Sequence, residues 1–222
     1  MPAIDIALDN LRHRLAAAGL HVVMRSDPEA LYALDRQRPD RTLSPIFNPQ
    51  LDAADTRWIC AVDGNRDFAG CHALRLISTA GRPASLALAE DLGRLFDTVS
   101  VQGVTPELDR LRGRIVYQGD GWLRQDFRGR DLGPLLLDYG LLEACRHWDP
   151  DGAVGFFERD PFAWSYAQKS GYRHFEVFGQ VWGDWLKSHE WIGWLERKDL
   201  VSLVADHSTD AAGILRKGPG RE

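Results

Sequence analysis

The stretch "DFRGRDLGPLLLDYG", Asp126 to Gly140, decides how the rest of the chain is read. It sets arginines, aspartates and glycines directly ahead of a leucine-rich run. Two physical readings fit it. In the first, Gly129 and Gly133 let an anion approach the backbone, and the first turn of the following helix supplies unpartnered N–H groups and the positive end of its dipole. In the second, the stretch is an ordinary helix start, with Asp131 as an N-cap worth about 1 kcal/mol and Pro134 in the first turn, where its missing N–H costs nothing.

The chain has 222 residues, enough for one domain with a full core and too few for two large ones. Hydrophobic residues make up 44% and charged residues 27%, the balance of a soluble globular protein. A formal net charge of -5 speaks against nucleic acid as a partner, because such proteins carry a basic surplus or a dense basic face. The longest apolar runs, such as "LHVVM" and "GPLLLDYGLL", fall far short of a bilayer span, and "MPAIDIALDN" has no basic segment ahead of an apolar one. We therefore expect no membrane partner, no secretion signal and a cytoplasmic location. Cys60, Cys71 and Cys145 form no CxxC and no Cys/His cluster at zinc spacing, so free thiols and no metal are expected. Cys60 and Cys71 flank the turn "DGNRD" symmetrically, so they either face each other across a hairpin or are simply two buried small hydrophobes.

Ile4, Leu8, Leu11, Leu15 and Leu20 recur at helical spacing, which predicts an N-terminal helix closed by Gly19. "LHVVMR" reads as a strand, "PEALYALDRQR" as a helix capped by Ser26 or Asp27, and "RWICAVD" with "FAGCHALRLIS" as a hairpin. Helices are expected in "LAEDLGRLFD" and "PELDRLR", then a strand "RIVYQGDGWLRQ" that runs into the opening stretch. After the leucine-rich helix come a strand "GAVGFFER", a helix "DPFAWSYAQKSG", strands "YRHFEVFGQVWGDWL" and "EWIGWLER", and a short helix "KDLVSLVAD". This order implies an α/β (α+β) fold. We expect a mixed, mostly antiparallel central sheet of about six to seven strands flanked by helices, with a strand-helix-strand crossover in its second half. Residues 1–19 are expected as a helical extension, 20–206 as the domain with an insertion at 79–112 before the fourth strand, and 207–222 as a loose tail poor in apolar residues.

The strand "GWLRQ", the loop "DFRGRDLGPLLL" with its helix, the strand "GAVGFFER" and the helix ending in "YAQKSGY" together resemble the GCN5-related N-acetyltransferase superfamily. That family's hallmark runs Gln or Arg, two residues, Gly, one residue, then Gly or Ala, and Arg128 to Gly133 match its first and last positions. Asp131 stands at the first glycine of the pattern, and Pro134 removes one N–H donor from the helix start. The resemblance implies an acyl-CoA co-substrate, with acetyl-CoA first, whose pyrophosphate is cradled by Arg128, Gly129, Arg130, Asp131, Leu132 and Gly133. It also implies that the backbone of Leu123, Arg124 and Gln125 pairs with the pantetheine arm. Arg124, Arg128 and Arg130 would offset the Asp131 carboxylate.

Acyl transfer to an amine needs an oriented thioester, a neutral amine and a proton for the leaving thiolate. The family's frequent acid is the tyrosine of a Tyr-Glu-Lys-x-Gly-Phe pattern, which falls on Ala167 here, with Tyr166 its neighbour. One helical step turns a side chain by about 100 degrees, so Tyr166 is either the acid or a core aromatic. Asp120 and Glu158, near strand ends that open toward a cleft, are the candidate bases, or else solvated charges, with water carrying the proton. His72 and His174 read as core or edge residues within strands. Trp182, Trp185, Trp191 and Trp194 either wall an acceptor pocket, pack sheet against helix or fill a dimer contact. The functional expectation is an acyl-CoA-dependent N-acyltransferase moving acetyl to a primary amine of a small molecule, with a homodimer possible. Two alternatives stand beside it: a non-catalytic acyl-CoA-binding or sensing module, which Ala167 favours, and an N-acyltransferase for longer acyl groups, whose channel the 79–112 insertion would shape.

Overall fold

The computed structural model of the chain describes residues 2–35, 47, 55–93, 99–101, 107–157, 161–178, 180–182 and 190–214. In chain order the elements are α1 (Pro2–Ala17), β1 (His21–Arg25), α2 (Pro28–Asp35), β2 (Thr56–Val62), β3 (Phe68–Ser78), α3 (Ala84–Gly93), β4 (Val99–Val101), β5 (Arg114–Leu123), α4 (Leu132–Trp148), β6 (Gly152–Phe157), α5 (Pro161–Lys169), β7 (His174–Phe178), β8 (Gln180–Trp182), β9 (Glu190–Glu196) and α6 (Arg197–Ile214). Seven strands form one sheet in the order β1-β2-β3-β5-β6-β9-β7, and β4 pairs with β8 in a separate ribbon. Every neighbouring pair in the large sheet is antiparallel except β5 and β6, whose connection through α4 makes them parallel. The expected mixed sheet with one crossover is the observed one.

Alternation along the strands divides the core in two. One face carries Ile59, Leu74, Val116, Ala153 and Leu195 and is covered by α1, α4 and α6, through Leu8, Leu11, Leu15, Leu137, Leu141 and Leu203. The other carries Trp58, Ala73, Ile115, Tyr117, Val154 and Ile192 and is covered by α2, α3 and Phe47. Each fully buried Leu contributes about 1.5–3 kcal/mol, so the covering helices are held by packing more than by their own propensity. Cys60 and Cys71 are direct partners across the β2–β3 ladder, and all three cysteines are free thiols.

Two elements differ from the sequence reading. "YRHFEVFGQVWGDWL", read as one strand, divides into β7 in the large sheet and β8 in the ribbon. α6 runs on through Ile214, into the segment expected to be loose from His207 onward. His207 is buried, its Nε2 lies 3.0 Å from Asp138 Oδ2 on α4, and its carbonyl accepts from Asn10 Nδ2 at 2.8 Å. Polar contacts to α4 and α1 supply what apolar side chains do not. Among the described residues, no helix is long and apolar enough to cross a membrane.

Candidate active site

The sheet opens at one defined point. β5 pairs with β6 only from Ile115 opposite Gly152 to Gln118 opposite Gly155, although β5 continues to Leu123 and stays paired with β3 as far as Gly70. Beyond Gln118 the two parallel strands part. Gln118 braces the apex: its Nε2 donates to Leu137 O on α4 at 2.8 Å, and its Oε1 accepts from Tyr172 Oη at 3.1 Å. Gly155 leaves room for this clasp, since a Cβ there would lie 2.8 Å from Tyr172 Oη.

A bulge sits on the free length of β5. Cys71 faces Trp122 and Ala73 faces Gly119, so His72 alone opposes both Asp120 and Gly121. Asp120 takes a left-handed conformation (φ 54°), and its carbonyl accepts from Cys71 Sγ at 3.5 Å. The bulge lies just past Gln118, where the pairing of β5 with β6 ends.

From the end of β5 the chain makes a single 3-10 turn over Gln125–Phe127, passes the left-handed Gly129 (φ 72°) and Asp131 (φ 54°), and enters α4 at Leu132. Buried Phe127 anchors the loop, with the Arg124 and Arg130 guanidiniums over its ring at 5.2 and 5.8 Å. Among the described residues, nothing lies within 4 Å of the Cβ that Gly129 lacks. Gly133 is closed by Tyr166, whose Cε2 lies 2.5 Å from the Gly133 Cβ position.

The charged side chains are more committed than the sequence suggests. Arg124 bonds Asp126 Oδ1 at 2.8 Å and Asp63 Oδ2 at 2.7 Å, tying the loop to the β2–β3 turn. These bonds hold its guanidinium charged and keep Asp126 and Asp63 below the usual carboxylate range. Arg128 Nε donates to Leu123 O at 2.7 Å, and Arg130 donates to Ala18 O at 3.1 Å. Asp131 does not cap α4 with its side chain; its Oδ1 lies 2.7 Å from Lys169 Nζ at the end of α5. Its left-handed backbone explains why, because an N-cap that accepts from the second or third helical N–H sits in the extended region.

Tyr166 and Ala167 diverge as one helical step requires. Ala167 is fully buried in the core, whereas Tyr166 reaches α4, donates to Gly133 O at 3.3 Å and lies 3.6 Å from the Cβ position of Gly121. The structure therefore gathers Leu123 to Gly133, the bulge at Asp120 and Tyr166 around one opening. Glu158, Trp185 and the side chain of Trp182 lie outside the described residues. Trp194 stacks on His174, whose Nε2 meets Asp199 Oδ2 at 3.0 Å, and Trp191 packs against the helix-covered core. Sequence reasoning passed over Lys169 and the Gln118–Tyr172 brace, although "KSGY" was in view; both act across long sequence separations, which leave no local pattern.

The sequence matches no protein-family model and no curated protein. Solved structures do match. A point mutant of the spermidine N-acetyltransferase SpeG from Vibrio cholerae superposes with a TM-score of 0.53 at 9% identity, over 83% of this chain and 97% of that one. Mutant forms of the spermidine/spermine N-acetyltransferase SpeG from the same organism give 0.52 at 9% identity, over 83% and 98%. At this identity the likeness concerns the fold.

Proposed function

On the fold of the GCN5-related N-acetyltransferases, which this chain adopts, we propose that the protein is a divergent acyl-CoA-dependent N-acyltransferase that moves acetyl to a primary amine of a small molecule. The observation that carries the reading is the junction of three features. β5 and β6 part after Gln118, the loop from Gly129 enters α4 beside the opening, and the Tyr166 hydroxyl reaches the α4 start at Gly133.

Acetyl-CoA supplies an acyl group activated as a thioester, whose carbonyl carbon a neutral amine can attack. The chain's own residues bind, orient and move protons. The backbone of Leu123 to Gln125 would hold the extended arm by strand-like hydrogen bonds in exchange for those it makes here, where Leu123 O accepts from Arg128 Nε, Arg124 N donates to Ala69 O, and Arg124 O and Gln125 O accept from Phe127 N and Arg128 N. Gly129 to Gly133 would hold the pyrophosphate with the N–H groups of the α4 start, one of which Pro134 lacks. Lys169 gives this cradle a cation that offsets Asp131. Tyr166 would give its proton to the departing thiolate. The proton lost by the amine passes to Asp120, to Glu158 or to water.

Ala167 supports a second reading, a module that binds acyl-CoA without turning it over, since the family's usual tyrosine position is a buried alanine here. Thiol release from acetyl-CoA across a panel of amines separates the two. Amine-dependent release that Tyr166→Phe suppresses, with the Michaelis constant for acetyl-CoA little changed, supports the enzyme. Binding without release across the panel favours the module. Mass measurement of co-purified acyl-CoA distinguishes acetyl from longer groups.

A further inference from the structure

His72 on β3 is 3% exposed, and among the described residues neither its Nδ1 nor its Nε2 has a hydrogen-bond partner. Such bareness is unusual, because an unmet buried polar group costs about 1–3 kcal/mol and nearly all find partners. Burial keeps the ring neutral, pushing its pKa down to about 3. It therefore offers one N–H donor and one acceptor nitrogen with no charge.

Its position gives the bareness a use. His72 is the single β3 residue opposite the two-residue bulge of β5. The Cβ that Gly121 lacks would lie 2.9 Å from His72 Nδ1 and 3.6 Å from Tyr166 Oη. The imidazole from β3 and the phenol from α5 thus face the same bare α-carbon, and a methyl group at residue 121 would press on the imidazole and touch the phenol. The Tyr166 hydroxyl holds Gly133 O at only 3.3 Å, a long bond that is readily exchanged.

We propose that His72 is a positioning residue for Tyr166: when the phenol gives up its proton, its oxygen turns from the Gly133 carbonyl toward Gly121 and accepts the Nδ1–H of His72. The inference rests on the reading of Tyr166 as the acid. The Tyr166 O–H bond breaks and an S–H bond forms on the leaving thiolate. The phenolate keeps its electron pair, and the imidazole lends a hydrogen bond without losing its proton. Solvent returns a proton to Tyr166 once the products leave. A neutral donor suits this task, since it stands ready without burying a second charge. Gly121 is then the residue that leaves the two groups facing each other.

His72→Leu removes both nitrogens at similar volume, and His72→Asn keeps an N–H near the Nδ1 position. With the amine that gives the fastest thiol release, His72→Leu should lower kcat about ten-fold or more while the KM for acetyl-CoA and the calorimetric Kd for CoA stay within about two-fold, and His72→Asn should recover part of kcat. Unchanged kcat in His72→Leu, where Tyr166→Phe is crippled, overturns this inference alone. Unchanged kcat in Tyr166→Phe overturns both it and the reading beneath it. A spectroscopic arm needs neither an acceptor amine nor a His72 variant that folds. In the CoA-bound chain, raising the pH until Tyr166 ionises should move the ¹⁵N resonance of His72 Nδ1 in wild type and not in Tyr166→Phe, and the same response in the two proteins overturns the proposal.

Discussion

The Asp131 carboxylate lies 2.7 Å from the Lys169 ammonium, joining the start of α4 to the end of α5 across the mouth of the proposed pyrophosphate cradle. The acid that departs from the family pattern thus comes with its own counter-charge. Both side chains are exposed, so the pair adds at most about 1 kcal/mol to stability and is weakened by salt.

Asp131→Gly should therefore bind CoA more tightly at low ionic strength, because it removes a carboxylate and frees Lys169 for the phosphates. The gain should fade as salt is added. Stability should change little, since the lost pair is offset by relief of a left-handed backbone that costs a non-glycine residue about 1 kcal/mol. Lys169→Ala should weaken binding in the same titrations. Equal affinities for wild type and both variants at every salt concentration would remove the pair from the cradle.

Gly133→Ala tests the contact between α4 and α5. A glycine inside a helix normally gains about 1 kcal/mol on becoming alanine. Here the new methyl would stand 2.5 Å from Tyr166 Cε2, so the ring must shift. The expected outcome is a net loss of about 1–2 kcal/mol by denaturant unfolding, together with reduced turnover. A stabilised, fully active variant would show that Tyr166 does not depend on Gly133.

The buried imidazole of His72 predicts an acid limb in stability. Its pKa is depressed in the folded chain, so its contribution is complete above the unfolded value of about 6.5 and is lost as pH falls toward about 3. Across that window unfolding takes up a proton, costing about 1.4 kcal/mol per pH unit. His147, also lowered by burial first, adds in the same direction, while the depressed Asp27, Asp63 and Asp126 act at lower pH. Unfolding free energies between pH 6 and 4.5 should fall less steeply in His72→Asn than in wild type. Parallel slopes would mean that the ring is protonated in the folded chain.

Asp138 holds two distant segments at once. Its Oδ1 accepts from Gly171 N at 2.7 Å, and its Oδ2 meets His207 Nε2 at 3.0 Å. Asp138→Ala would leave both donors buried and unpaired, at a cost of about 3 kcal/mol. Deleting the chain from His207 onward should also lower the melting temperature by several degrees. An unchanged melting temperature in the deletion would show that the last turns of α6 contribute nothing.

These residues also mark how far the sequence carries. The β2–β3 hairpin, the β5-α4-β6 crossover and the loop from Arg128 to Gly133 were legible because periodicity, turn residues and glycines act over a few positions. The end of α6 was not, since "HSTDAAGI" is polar and its anchor, Asp138, is far back in the chain. Arg124 was expected to offset the Asp131 carboxylate, but Asp63 and Asp126 claim it. Lys169 looked idle until α5 brought it to Asp131. Tyr166 was an even choice between acid and core; burial of Ala167 beside it sends the phenol to Gly133. Each such outcome depends on a contact between elements, which no local pattern records.

The most direct test of the account is a calorimetric titration of the intact protein with CoA at low ionic strength. If the opening between β5 and β6 and the loop from Gly129 into α4 form an acyl-CoA site, heat should saturate at one CoA per chain, with a matching rise in melting temperature at saturating ligand. Absence of both heat and thermal shift at millimolar CoA would contradict the acyltransferase reading and leave only the fold.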